Sequence, residues 1–112
     1  MKLTKEEKTV ISSLNDYTVK DFPDNINEAG WYDISQYQNL SEEFIEKYKD
    51  YVNWYMINMF QDLSEEFIEK YKNKLDWDWI SISQKLSKEF RDKHKKYLKK
   101  FSFHKFKKYS II

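Results

Sequence analysis

Two carboxylate clusters, Glu42, Glu43, Glu46 and Glu65, Glu66, Glu69, are the residues whose types and spacing could most readily do chemistry. Three acids within one helical turn and a half could chelate a cation, or present an acidic face to a partner. At a helix start the same acids complement the positive end of the helix dipole and form a solvated face, and that is the expected role. The two histidines, His94 and His104, stand ten apart with no acidic cluster at metal-ligand spacing beside them, so neither zinc binding nor catalysis is expected. There is no cysteine, which excludes disulfides and thiolate metal sites. No P-loop, nucleotide fingerprint, nucleophile elbow or paired-carboxylate motif is visible. The expectation is a chain that is not an enzyme and takes no cofactor.

The elements that must carry these residues declare themselves by repetition. "LSEEFIEKYK" occurs at 40–49 and again at 63–72. At a shift of 23, "WYDISQYQNLSEEFIEKYKDYVN" (31–53) aligns with "WYMINMFQDLSEEFIEKYKNKLD" (54–76) and "WDWISISQKLSKEFRDKHKKYLK" (77–99). A shortened copy occupies 100–112, and 1–30 reads as a worn first copy, with Ile11 under Ile34 and Thr18 under Ser41. A unit this short cannot bury its own apolar side, so it must stack on a near-copy of itself. With one Gly and one Pro in 112 residues, 40% hydrophobic and 19% aromatic content, the chain has few turn residues for sheets and enough apolar mass for a core. The fold expected is all-α: a single domain of stacked 23-residue helical hairpins, α-solenoid-like, with eight or nine short helices.

Within each unit, Ser41 reads as an N-cap, and Leu40 with Ile45 has the spacing of a hydrophobic staple. Phe44, Ile45, Tyr48 and Val52 form one stripe of a longer helix. Glu43 and Lys47 stand at i, i+4, the favourable order for a pair. Asn53 and Asp76, like Gly30, are expected to end that helix in the left-handed region. A shorter helix carrying Trp54, Ile57 and Gln61 follows. The series Trp31, Trp54, Trp77 is read as packing anchors, with an aromatic ladder for stacking ligands as the alternative. Gln38, Gln61 and Gln84 recur where a buried amide could satisfy a backbone group of a neighbouring helix; a binding role is the alternative. His94 replaces Tyr48 and Tyr71 on or beside the buried stripe. His104 takes the slot of Ser35, Asn58 and Ser81, which the pattern reads as exposed. Trp79 stands where Asp33, Met56 and Ser102 stand in other copies, either an exposed anchor for a partner or a packing substitution for Met56.

The unit Trp-x-x-Ile-Ser-x-x-Gln-x-Leu-Ser-Glu-x-Phe-Ile is complete at 31–45. It departs at Asn58 in the second copy, and at Lys88 and Arg91 in the third. It resembles a short repeat of uncharacterised giant-virus, bacteriophage and low-GC bacterial proteins, over about two-thirds of the chain. The resemblance implies a viral or mobile-element product and little about activity.

Charge is segregated. Residues 1–84 hold nine lysines against 17 acids, a balance of −8; residues 85–108 hold 11 cations against two acids, a balance of +9. Lys88 replaces Glu42 and Glu65, and Arg91 replaces Ile45 and Ile68. A basic end carrying Arg91, Lys95, Lys96, Lys99, Lys100, Lys105, Lys107 and Lys108 among aromatics suits an acidic protein groove or a phosphate backbone. Terminal capping of the array is the third reading. A membrane-surface helix is set aside, because Phe101, Phe103 and Phe106 follow the packing register. No uninterrupted apolar run suggests a signal peptide or a span of about 20 residues, so the expected location is the cytoplasm, that of a host cell if the chain is viral. The expected function is a non-catalytic protein-interaction module, such as a phage or mobile-element inhibitor of a host nucleic-acid-handling defence enzyme, an anti-CRISPR for example. Direct nucleic-acid binding and self-assembly of acidic body on basic end are the alternatives.

Overall fold

A computed structural model describes residues 2–14, 21–36 and 39–98. Among them all regular structure is helical: α1 (Lys5–Ser12), α2 (Glu28–Gln36), α3 (Glu42–Lys47), α4 (Trp54–Phe60), α5 (Glu65–Lys70), α6 (Trp77–Ser83), α7 (Lys88–Lys93) and α8 (Lys95–Leu98). The Trp-bearing helices form one row, α4 lying between α2 and α6, with α8 following α6. The serine-capped helices α3, α5 and α7 alternate with them along the chain. The molecule is elongated, 47 × 27 × 19 Å.

Each serine caps as expected. Ser41, Ser64 and Ser87 accept the N–H of Phe44, Phe67 and Phe90 at 3.0, 3.1 and 3.1 Å. The core repeats with the sequence: Ile34, Ile57 and Ile80, then Phe44, Phe67 and Phe90, with Leu40, Leu63, Ile45 and Ile68 buried among them. Trp31 and Trp77 are buried and Trp54 half-buried against the core, so the tryptophans are packing anchors. Trp54 and Trp77 also donate their indole N–H to the carbonyls of Lys49 and Lys72 at 2.9 and 3.2 Å, oxygens that the end of the preceding helix leaves unpaired.

Four local expectations are corrected. The serine-capped helix is the shorter of each pair, six residues against seven. It stops at Tyr48 (φ −109°, ψ 31°), and a turn with Tyr51 N–H on the Tyr48 carbonyl carries the stripe onward to Val52. Asn53 and Asp76 are not left-handed ends: both are extended N-caps, accepting from the N–H of Met56 (3.1 Å) and Asp78 (2.9 Å). Gly30 lies inside α2. Lys47 does not turn back to Glu43 but crosses to Glu7, 2.6 Å away. At the N-terminus Thr4 caps α1 in a capping box with Glu7; Thr18 lies outside the described residues.

Candidate interaction surface

Most recurring polar residues turn out to bond one unit to the next. Gln61, 1% exposed, accepts the Leu40 N–H at 2.9 Å and donates to the Ser35 carbonyl at 2.9 Å. Gln84 does the same one unit on, accepting from Leu63 at 3.0 Å and donating to the Gln61 carbonyl at 2.8 Å. Both bonds fall on backbone groups between helices, as the sequence suggested; Gln38 lies outside the described residues.

The carboxylate clusters divide by position. Glu42 accepts both the backbone N–H (2.5 Å) and the hydroxyl (2.9 Å) of Ser64, the cap of the following unit. Glu65 takes Ser87 in the same way at 2.6 and 3.0 Å, and Glu6 takes Ser41 at 2.8 and 2.6 Å. A second ladder runs beside it. Glu46 accepts from Lys70 (2.6 Å) and Tyr71 (3.1 Å), and Glu69 meets Lys93 (3.1 Å) and His94 (2.7 Å). Glu7 accepts from Lys47 and Tyr48. The expectation of a purely solvated acidic face therefore holds only for Glu43 and Glu66, which are exposed. The sequence contains a signal for two of these contacts, since Glu42–Ser64 and Glu65–Ser87 share an offset of 22 where Glu6–Ser41 spans 35, but nothing in it says that the two would meet across a unit boundary.

These contacts move protonation equilibria. Burial opposes charge on Glu7, yet the hydrogen bonds from Lys47, Tyr48 and the Thr4 N–H prevail and hold its carboxyl down at about 2. Burial, reinforced by the Glu7 carboxylate, pushes the Tyr48 phenol up. Hydrogen bonds from Lys93 and His94 hold Glu69 at about 2.

His94 is buried, as its register implied, and stacks on Trp77 with ring centroids 5.1 Å apart. The slot of Ser35, Asn58 and Ser81 is buried rather than exposed. Ser35 accepts the N–H of the N-cap Asn53 at 2.8 Å and Asn58 that of the N-cap Asp76 at 3.2 Å, while Ser81 donates to the Trp77 carbonyl at 2.7 Å. His104, which shares that slot in sequence, lies outside the described residues. Among the described residues no three His, Cys, Asp or Glu side chains are grouped to hold a metal ion.

What remains outside is what breaks the repeat. Arg91 is exposed, its Nε 3.4 Å from the Leu86 carbonyl, where Ile45 and Ile68 are 0% exposed. Lys88 stands where a latching glutamate would be, and pairs at 3.6 Å with exposed Asp92. Lys95 and Lys96 are exposed on α8, beside Tyr97, which is also exposed and stacks on Trp77 at 5.2 Å. Lys99, Lys100, Lys105, Lys107 and Lys108 lie outside the described residues. Trp79 is half-buried and meets the Tyr55 ring edge-on at 6.4 Å. The exposed tyrosines Tyr32 and Tyr55 were not singled out from sequence, although their 23-residue spacing was there to see. No helix among the described residues is long and apolar enough to cross a membrane. Comparison with protein-family models, with curated proteins and with solved structures finds no match.

Proposed function

We propose that the chain is a non-catalytic protein-interaction module that docks through its basic third unit on an acidic surface of a partner. One observation carries this reading: Arg91 is solvent-exposed where its counterparts Ile45 and Ile68 are fully covered. A packing position has become a charged surface, and Lys88, Lys95 and Lys96 extend it. Exposed charge of one sign steers association and selects partners of the opposite sign. The likeness of the repeat to viral and phage proteins motivates the sharper form, an inhibitor docking on a host nucleic-acid-handling enzyme. Affinity capture tests the reading. The wild type should retain a discrete partner at low and moderate salt, and Lys88→Glu, Arg91→Glu, Lys95→Glu and Lys96→Glu together should release it. Identical captured proteins from both baits would sink the idea.

A second reading, nucleic-acid binding, is favoured by exposed Tyr97 beside Lys95 and Lys96, since aromatic rings among cations suit stacked bases and phosphates. A gel shift at low salt that leaves single- and double-stranded probes unmoved disposes of it. Open-ended self-assembly finds less support. The Thr4 N–H is taken by its own Glu7 at 2.7 Å, where Ser41, Ser64 and Ser87 wait on a preceding unit.

A further inference from the structure

Resting on the docking role proposed above, we infer where the partner sits: a helix of another protein lies against α7 as a following unit would, with a carboxylate where the array puts a cap serine. Inside the array each serine-capped helix receives the next one on a fixed edge. α3 takes Ser64 on Glu42 and Lys70 on Glu46, and α5 takes Ser87 on Glu65 and Lys93 on Glu69. The apolar positions of those two units are closed: Leu40 and Leu63, Ile45 and Ile68, Val52 and Leu75 are all buried. In the third unit the same three positions open together. Leu86 and Leu98 are only half-buried, and Arg91 is exposed. This edge therefore offers two apolar shoulders beside a guanidinium, and it continues an interface that the molecule already builds twice.

Hydrogen-bond polarity selects the occupant, position by position. Ser64 and Ser87 arrive with donors, a backbone N–H and a hydroxyl, and a glutamate accepts both. Lys88 stands in that glutamate's place and can only donate. Another serine-capped unit of this chain is thus a poor fit. Ser110, next in register, carries the same donors, and Lys107 stands where Gln61 and Gln84 supply the acceptor for Leu40 and Leu63. A helix that opens with Asp or Glu does fit. Its carboxylate meets Lys88 and Arg91, and an acid is stabilised in a first helical turn. The edge carries acids as well. Exposed Asp92 keeps the place of Glu46 and Glu69 and pairs with Lys88 at 3.6 Å, and Glu89 is exposed. The occupant accordingly bears a lysine beyond its carboxylate, as Lys70 follows Ser64 in the array. That alternation disfavours nucleic acid, whose phosphates would have to pass Glu89 and Asp92.

Two helix-stabilised peptides test the inference: LSEEFIEKYKNKLD, copied from 63–76, and the same peptide with Ser64→Asp. Each is titrated into isotope-labelled full-length protein and followed by amide shifts. The Ser64→Asp peptide should bind about fivefold tighter, with shifts centred on Leu86, α7 and Leu98. Lys88→Glu in the protein, at unchanged Tm, should reverse the preference, because it restores the acceptor that a serine cap needs. Equal affinities, no binding of either peptide, a preference that survives Lys88→Glu, or shifts centred on Glu43 and Glu66 would each overturn the inference. So would tighter binding of a short oligonucleotide at the same amides. Shifts of residues 99–112 on Lys88→Glu without peptide, together with no peptide binding, would give the seat to the chain's own C-terminal segment and sink the proposal. A captured partner that depends on Lys88 and Arg91, with no peptide preference, would leave the docking role standing and remove only this seating. A reversed peptide preference with no captured partner would do the opposite.

Discussion

Gln61 shows how one side chain can serve as a joint. Its carboxamide sits between units with both ends occupied, and it is almost wholly excluded from water. Replacing it with leucine keeps the bulk but strands the Leu40 N–H and the Ser35 carbonyl. Each abandoned group costs about 1–3 kcal/mol, so Gln61→Leu should lose about 2–4 kcal/mol in urea unfolding; a loss below about 1 kcal/mol would contradict the joint. Glu7 makes the same point for charge. Its carboxyl falls from an ordinary 4.5 to about 2 in the folded chain. A group with a depressed folded pKa stabilises the fold above its unfolded pKa and ceases to do so as pH falls through its folded one. The contribution, on the order of 3 kcal/mol, is thus present at neutral pH and fades between about pH 4.5 and 2. Urea midpoints should drop through that window, and Glu7→Gln should remove that part of the slope while lowering stability at pH 7. An unaltered acid limb in Glu7→Gln would assign the pH dependence to other carboxylates, Glu69 foremost.

Six-residue helices have no business standing alone in water, and α5 stands because its first turn is tied from both sides. Ser64 caps it from within, and Glu42 of the unit before holds Ser64 in turn. Ser64→Ala should cost about 1–2 kcal/mol, Glu42→Ala a similar amount, and the double variant clearly less than their sum, because both changes remove one network. Glu43→Ala, one residue along and exposed, should stay within about 0.5 kcal/mol. Additive losses at 42 and 64 would show that the latch is geometry without coupling. This contrast between neighbours marks the boundary of what the sequence made legible. Period, cap serines, buried stripe and amide positions were all visible, because each is a property of one unit. The partner of Glu42 was not, because it depends on the pitch at which units stack. Helix lengths were misjudged for a related reason: the turn after Tyr48 keeps Val52 on the same side as the helix before it, so the apolar pattern runs on after the helix has stopped. The N-terminal start is legible in Thr4 and Glu7, which have capping-box spacing, although Thr4 falls outside the 23-residue register of the cap serines.

At the scale of the molecule, the bonds between units are interchangeable while the two ends are not. Glu42 treats Ser64 as Glu65 treats Ser87, Gln61 reaches Leu40 as Gln84 reaches Leu63, and Glu46 and Glu69 each meet a lysine and the ring next to it. Removing residues 54–76 would join Asn53 to Trp77 and bring Glu42 to Ser87, Gln84 to Leu40 and Glu46 to Lys93 and His94, each replacing a partner of the same kind. In arrays whose stability comes from units and nearest-neighbour interfaces, loss of one of each lowers stability without abolishing the fold. The shortened chain should therefore unfold cooperatively at a lower Tm, with unchanged helicity per residue by circular dichroism. A second copy of 54–76 inserted after Asp76 should raise Tm. Deleting one residue more or fewer should fail, because every latch would then face the wrong side chain. Failure of the in-register deletion alongside the out-of-register ones would mean that stability rests on the particular middle unit and not on repetition. The ends resist such exchange: Glu7 closes the first cap on itself, and Lys88 cannot accept the bonds that Glu42 and Glu65 accept.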